Sequence, residues 1–99
     1  MDIAELTARM HDFVAQKGWY HPDSQRPQTL RNLATSLVLE AAEVLEHFQW
    51  DEELENQTHL AAELADVTLY VLQLASIAEI DLEQAVLDKL AQNYDRTWE

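Results

Sequence analysis

Four stretches of this chain repeat apolar residues at helical spacing, and short polar segments separate them. Ile3, Leu6, Met10, Phe13 and Val14 give the first, Asp2 to Lys17, one apolar face. Asp2 and Glu5 stand three apart at its start, the pattern of a capping box, and Gly18 is placed to end it. Leu30, Leu33, Leu37, Ala41, Val44 and Phe48 stripe the second, from Leu30 to about Trp50. The third runs from about Gln57 to Ile80 and centres on LAAELADVTLYVLQLASIA, Leu60 to Ala78. That segment is almost unbroken apolar sequence and predicts a helix buried on nearly every side. Asp81 caps the fourth, with Gln84 in the reciprocal position, and Leu82, Ala85, Val86, Leu90 and Tyr94 supply its apolar side.

Between the first two helices lies one real loop, Trp19 to Thr29, with two aromatics, a histidine and both prolines. Asp51 to Asn56 reads as a short acidic turn or a helical extension. The only glycine and the two prolines all fall between Gly18 and Pro27, so the rest of the chain is free of helix breakers. The pattern predicts an all-α, four-helix domain spanning residues 1–99. Its third helix has more apolar circumference than three neighbours in so short a chain readily cover, which predicts an obligate homo-oligomer, a dimer or a dimer of dimers.

Charge narrows the partners. Nineteen acids against six Lys and Arg give a net charge of −13, which should repel phosphate backbones and anionic membranes. A polymeric nucleic acid is therefore disfavoured, whereas a small phosphorylated ligand carried with a divalent metal is not. The chain has no cysteine, so disulfides and thiolate metal sites are excluded. The acidic, amphipathic MDIAELTARM is unlike a signal peptide, and Glu63 and Asp66 interrupt the best candidate for an uncharged membrane-spanning run. The expectation is a soluble cytoplasmic protein.

Those two acids carry the chemistry. Glu63 and Asp66 are three apart, on one face of an otherwise apolar helix. A buried carboxylate takes a proton, finds a partner or binds a metal, and this chain is poor in cationic partners. Glu40 and Glu43 repeat the spacing one helix earlier, about 60° apart around the axis. Four oxygen ligands on two helices suit a hard cation, Mg²⁺ or Mn²⁺. Taken alone, an E-x-x-E in so acidic a chain is more often a solvated face. A di-iron bundle would want Glu-x-x-His on two helices, and neither Glu43 nor Glu63 has a histidine three residues on. His47 accordingly reads as a helix-surface residue, and His11, His21 and His59 show no ligand spacing. Lys89, Asn93 and Arg96 share a face of the fourth helix. They suit an anionic ligand, and equally a helix dipole or ordinary ion pairs.

The strings LVLEAAEVLEHFQW, AAELADVTLYVLQLA and DLEQAVLDKLAQNYDR closely resemble the MazG-like nucleotide pyrophosphohydrolases of the all-α NTP pyrophosphatase superfamily. The likeness is strongest to the compact branch that includes dCTP pyrophosphatase, and it covers Trp19 and about Asn32 to Arg96. It implies Mg²⁺-dependent hydrolysis of a (deoxy)nucleoside triphosphate to the monophosphate and pyrophosphate, in nucleotide-pool house-cleaning. Glu40, Glu43, Glu63 and Asp66 match the metal-binding, catalytic acids. Lys89, Asn93 and Arg96 match the K-x-x-x-N-x-x-R pattern that meets the phosphates, with Lys89 also stabilising the leaving pyrophosphate. Trp19, Trp50 and Tyr70 resemble the residues lining the base and sugar pocket. The chain departs from many relatives in having Leu39 before Glu40, a longer loop from His21 to Thr29, and no Arg-Tyr-Pro after the fourth helix. Two other functions remain open on these residues, a phosphoribosyl-ATP pyrophosphatase and a non-enzymatic helical adaptor.

Overall fold

The computed structural model describes residues 1–97. Among them are four α-helices and no strand: α1 (Ile3–Gln16), α2 (Leu30–Glu46), α3 (Gln57–Ile77) and α4 (Leu82–Asp95). Helix α3 is the centre, with α1 and α2 packed against it and α4 touching it more lightly. Met10 and Val14 of α1, Leu33 of α2, and Leu72 and Ala75 of α3 make the buried apolar core.

Local chemistry sets the helix starts. Asp2 accepts from the Glu5 amide at 2.9 Å while the Glu5 carboxylate accepts from the Asp2 amide, so the capping box is complete. Thr29 caps α2, Asn56 caps α3 and Asp81 caps α4. Gln84 does not close a second box. Its amide donates along the helix to Asp88 instead, at 2.8 Å.

The helix ends position the site. At the end of α1, Gly18 takes φ +77°, the left-handed conformation that glycine adopts without a Cβ penalty. The Gly18 amide then bonds Ala15 O and the Trp19 amide bonds Val14 O, a Schellman motif. The motif swings Trp19 back onto its own helix, edge-on to Phe13 with ring centroids 5.7 Å apart. Helix α3 stops the same way three residues before the expected Ile80. Glu79 holds φ +58° without being a glycine, and the Ile80 amide bonds Ala75 O at 2.8 Å. Helix α2 is shorter too. Beyond Glu46 the amides of His47, Phe48 and Gln49 bond three residues back, so the helix tightens and unwinds before it reaches Trp50.

The expected burial of α3 is not met within one chain. Only Leu72, Gln73 and Ala75 of that helix are buried, while Leu64 and Leu69 are exposed. By length and composition α3 could cross a membrane, though Glu63 and Asp66 interrupt it and α1 and α2 pack against it. Helix α4 buries no residue. The Cα radius of gyration is 16.0 Å, against about 13 Å for a compact domain of 100 residues. The fold is an open bundle.

Candidate active site

A cavity of about 710 Å³ lies between α1, the 19–29 loop and the facing sides of α2 and α3. Glu40 and Asp66 stand in its wall, with Tyr70, Gln73 and Trp19 further along. The α3 members follow from spacing: Asp66, Tyr70 and Gln73 are four and three residues apart and so form one stripe. Trp19 arrives from the end of α1 through the Gly18 turn.

Glu40 is the group in tension. Its Oε2 is buried and has no hydrogen-bond partner among the described residues. Loss of water raises its pKa above the ordinary 4.5, and the adjacent Glu43 carboxylate and the charges of Asp66 and Glu63 raise it further. The two carboxylate pairs therefore sense one another across the α2–α3 contact, as the sequence predicts. The burial is shared between the pairs, however: Glu40 and Glu63 are half-buried, Glu43 and Asp66 are exposed, and the buried oxygen without a partner among the described residues belongs to Glu40.

Among the described residues, no three His, Asp or Glu side chains are gathered closely enough to hold an ion as they stand. Like charges repel, and drawing this set together needs a cation to offset them. The donor set is all oxygen, and one buried oxygen has no proton donor to satisfy it. Both features fit a hard divalent ion.

His47 belongs to this cluster and was not expected in it. It is the C-cap of α2, half-buried, and its Nε2 lies 2.8 Å from Glu63 Oε2. A carboxylate only accepts, so the imidazole donates from Nε2 and fixes the Glu63 rotamer. The signal was its spacing, four residues after Glu43 on the same stripe.

Other expected residues do not reach the cavity within one chain. Trp50 is 90% exposed beyond the unwound end of α2, so it has left the Glu40–Glu43 face. Lys89, Asn93 and Arg96 line no part of the cavity, because α4 packs on α3 and contributes nothing to the walls. Asn93 Oδ1 is buried without a partner. The Lys and Arg that do line the cavity are Arg9 and Arg26, neither signalled by any sequence pattern. Arg26 lies over the Trp19 ring, its Cζ 5.4 Å from the centroid.

A polar chain runs from the cavity wall at Gln73 and Gln28 into the protein. Gln73, only 3% exposed, donates to Gln28 Oε1 at 2.8 Å and to the Tyr20 hydroxyl at 3.2 Å. Tyr20 bonds His11 Nδ1, and His11 Nε2 bonds Ser76 Oγ at 2.7 Å. Burial raises the Tyr20 pKa above its ordinary 10.0, opposed by the Gln73 hydrogen bond, so the phenol stays protonated. The chain ties α1 and the loop to α3.

Comparison with known proteins gives the family. Residues 35–98 match the MazG-like family. Mouse dCTP pyrophosphatase 1 is 34% identical over 104 residues, covering 96% of this chain and 56% of the mouse protein. The bovine protein of that name is 37% identical, with 96% of this chain and 57% of its own length covered. The chain thus spans little more than half the length of these relatives. The crystal structure of a pyrophosphatase from Archaeoglobus fulgidus superposes with a TM-score of 0.80 at 33% identity, covering 97% of this chain and 92% of that one.

Proposed function

We propose that this chain, which belongs to the MazG-like family, hydrolyses a (deoxy)nucleoside triphosphate to the nucleoside monophosphate and pyrophosphate. The observation that carries the reading is the buried oxygen of Glu40, without a partner among the described residues, on a carboxyl raised in pKa by loss of water and then by three neighbouring carboxylates, in the wall of a nucleotide-sized cavity. A phosphoribosyl-ATP substrate is less well supported, since the far end of the cavity offers Trp19 and a buried amide to a base. An adaptor has no use for an unsatisfied acid. A house-cleaning role in the cytoplasm is part of the same proposal.

Glu40, Glu43, Glu63 and Asp66 would hold Mg²⁺ or Mn²⁺. The ion would supply positive charge to the phosphate oxygens and lower the barrier to attack on the α-phosphorus. His47 holds Glu63 in place for that task. Trp19, stiffened between Phe13 and Arg26, offers a face to the base, and Tyr70 lies between base and phosphates. Lys89, Asn93 and Arg96 are assigned to the phosphates in the assembled protein. Water adds to the α-phosphorus and pyrophosphate departs, so each turnover consumes one water and leaves one monophosphate.

A panel of nucleoside triphosphates with chromatographic product analysis, in Mg²⁺ and in chelator, tests the reading. Monophosphate and pyrophosphate in equal amounts, with metal only, are expected. A diphosphate with free phosphate, or turnover unaffected by chelator, would count against it.

The same proposal includes a homodimer or dimer of dimers. Val38, Leu39 and Leu45 on α2 and Val86, Leu87 and Leu90 on α4 are between 47 and 70% exposed in the single chain. Covering such faces is worth about 25 cal/mol for each Å² of apolar surface removed from water. Sedimentation at micromolar concentration should show dimers or tetramers and no folded monomer. A well-folded monomer there would refute the assembly.

A further inference from the structure

The polar chain that starts at Gln28 and Gln73 in the cavity wall has a direction that the backbone fixes. Gln28 Nε2 lies 2.7 Å from the carbonyl oxygen of Arg26. A backbone carbonyl only accepts, so the Gln28 amide nitrogen must face it, and Gln28 Oε1 must face the other way. The atom that Gln28 Oε1 meets, at 2.8 Å, is therefore the donor end of Gln73. The second proton of Gln73 Nε2 goes to the Tyr20 hydroxyl. Both amide protons of Gln73 are thus spent on the protein, and its orientation follows from the network rather than from free choice.

What remains is one acceptor. Gln73 is 97% removed from solvent as a residue, yet it lines the cavity, and among the described residues no donor bonds its Oε1. Along α3, Gln73 lies seven residues beyond Asp66 on the same stripe. At the helical rise this is about 10 Å from the carboxylates. That is the reach of a nucleoside from its α-phosphorus to the far edge of its base. An acceptor held there, with its donors already committed, welcomes an N–H and opposes a carbonyl.

We propose that Gln73 is a specificity-determining residue, selecting nucleotides whose base carries an exocyclic amino group on its pairing edge. Cytosine and adenine present such a donor, and uracil and hypoxanthine present an oxygen in its place. The inference rests on the reading of the cavity as a nucleotide site. A buried acceptor rejects a second acceptor strongly, because neither can turn to find a proton. Gln28 and Tyr20 are positioning residues, since they act only by holding the Gln73 amide in one orientation. Both come from the loop, so the selection exists only when the loop is docked on α3.

Matched substrate pairs test it. dCTP and dUTP differ at this edge by an amino group against an oxygen, and dATP and dITP differ likewise. The full chain should favour the amino member of each pair by about tenfold or more in kcat/KM. Gln73→Met, apolar and similar in length, should bring both ratios to within about threefold of unity. Gln28→Ala, at a half-buried loop position, frees the Gln73 amide to turn and should lower the ratios at least severalfold, which keeps a test if the core variant folds poorly. Binding of the four α,β-imido analogues, measured by calorimetry, should give the same order of dissociation constants. Wild-type ratios near one or reversed, or ratios unchanged in folded variants, overturn the assignment. Turnover with flat ratios sinks Gln73 and spares the hydrolase. Selective binding without turnover does the opposite, and absence of nucleotide binding removes both.

Discussion

Glu40→Gln should abolish at least about 99% of turnover while leaving the metal-free protein as stable as the wild type or more so. The two halves of the expectation have one cause. In the folded chain Glu40 keeps a buried oxygen with no proton donor, and three carboxylates nearby disfavour its charge. A neutral amide of the same shape removes that repulsion, and it also removes a hard anionic ligand. Because its folded pKa is raised, Glu40 holds a proton in the native state that the unfolded chain has already lost. The folded state thus binds more protons from the ordinary 4.5 up to the raised value, and stability falls as pH rises through that window. Below it the group is protonated in both states and nothing is lost. Above it the whole penalty is present. Melting curves in chelator should accordingly coincide for wild type and variant at about pH 4 and separate at about pH 8, with the variant higher. Adding Mg²⁺ should raise the wild-type curve and leave the variant nearly unmoved. A variant that melts lower in chelator at neutral pH would make Glu40 an ordinary structural acid.

The choice of Glu40 over Asp66 marks what the sequence could and could not disclose. Spacing alone paired Glu40 with Glu43 and Glu63 with Asp66, and the helices do set the four carboxylates against one another. Apolar neighbours in sequence suggested that Glu63 and Asp66 were the buried pair. An apolar helix may be covered by its own chain or by another, however, and periodicity does not distinguish them. In this fold the fully buried positions of α3, Leu72, Gln73 and Ala75, all lie in its second half, so Asp66 in the first half keeps water while Glu40 on α2 buries an oxygen. The same ambiguity hid the position of α4. Its apolar stripe was legible, but nothing in it said that Val86, Leu87 and Leu90 would remain outside a single chain.

Termini show the contrast on a smaller scale. Gly18 announced the end of α1, since glycine is the residue that turns left without strain. Glu79 makes the same turn with a side chain that gives no such notice, so α3 read three residues too long. At α2 the apolar period continues to Phe48 while the backbone has already tightened, so Trp50, expected at the helix end, lies beyond it and exposed. Gln73 is a lone amide on the stripe of Asp66 and Tyr70. Its meaning depends on Gln28 and Tyr20, which lie 45 and 53 residues away, and no local pattern carries that.

His47 is a residue that these limits concealed. It lacks a place in a Glu-x-x-His scheme and reads as surface in the sequence. In the structure it donates a 2.8 Å hydrogen bond to Glu63 Oε2, and the proposed chemistry uses it through that bond. Residues that hold a metal ligand in one rotamer typically change metal affinity by about 10–100-fold when removed. His47→Ala should therefore raise the Mg²⁺ concentration for half-maximal activity by about that factor, with a smaller change in nucleotide KM at saturating Mg²⁺. His47→Gln can still donate from an amide and should recover part of the loss, whereas His47→Leu should not. A purely structural histidine predicts another result: lower melting temperature and an unaltered Mg²⁺ requirement in the molecules that remain folded. Magnesium titrations at fixed nucleotide, with melting curves for the three variants, separate the two. If the half-saturating Mg²⁺ concentration stays put in all three, the His47–Glu63 bond plays no part in holding the ion.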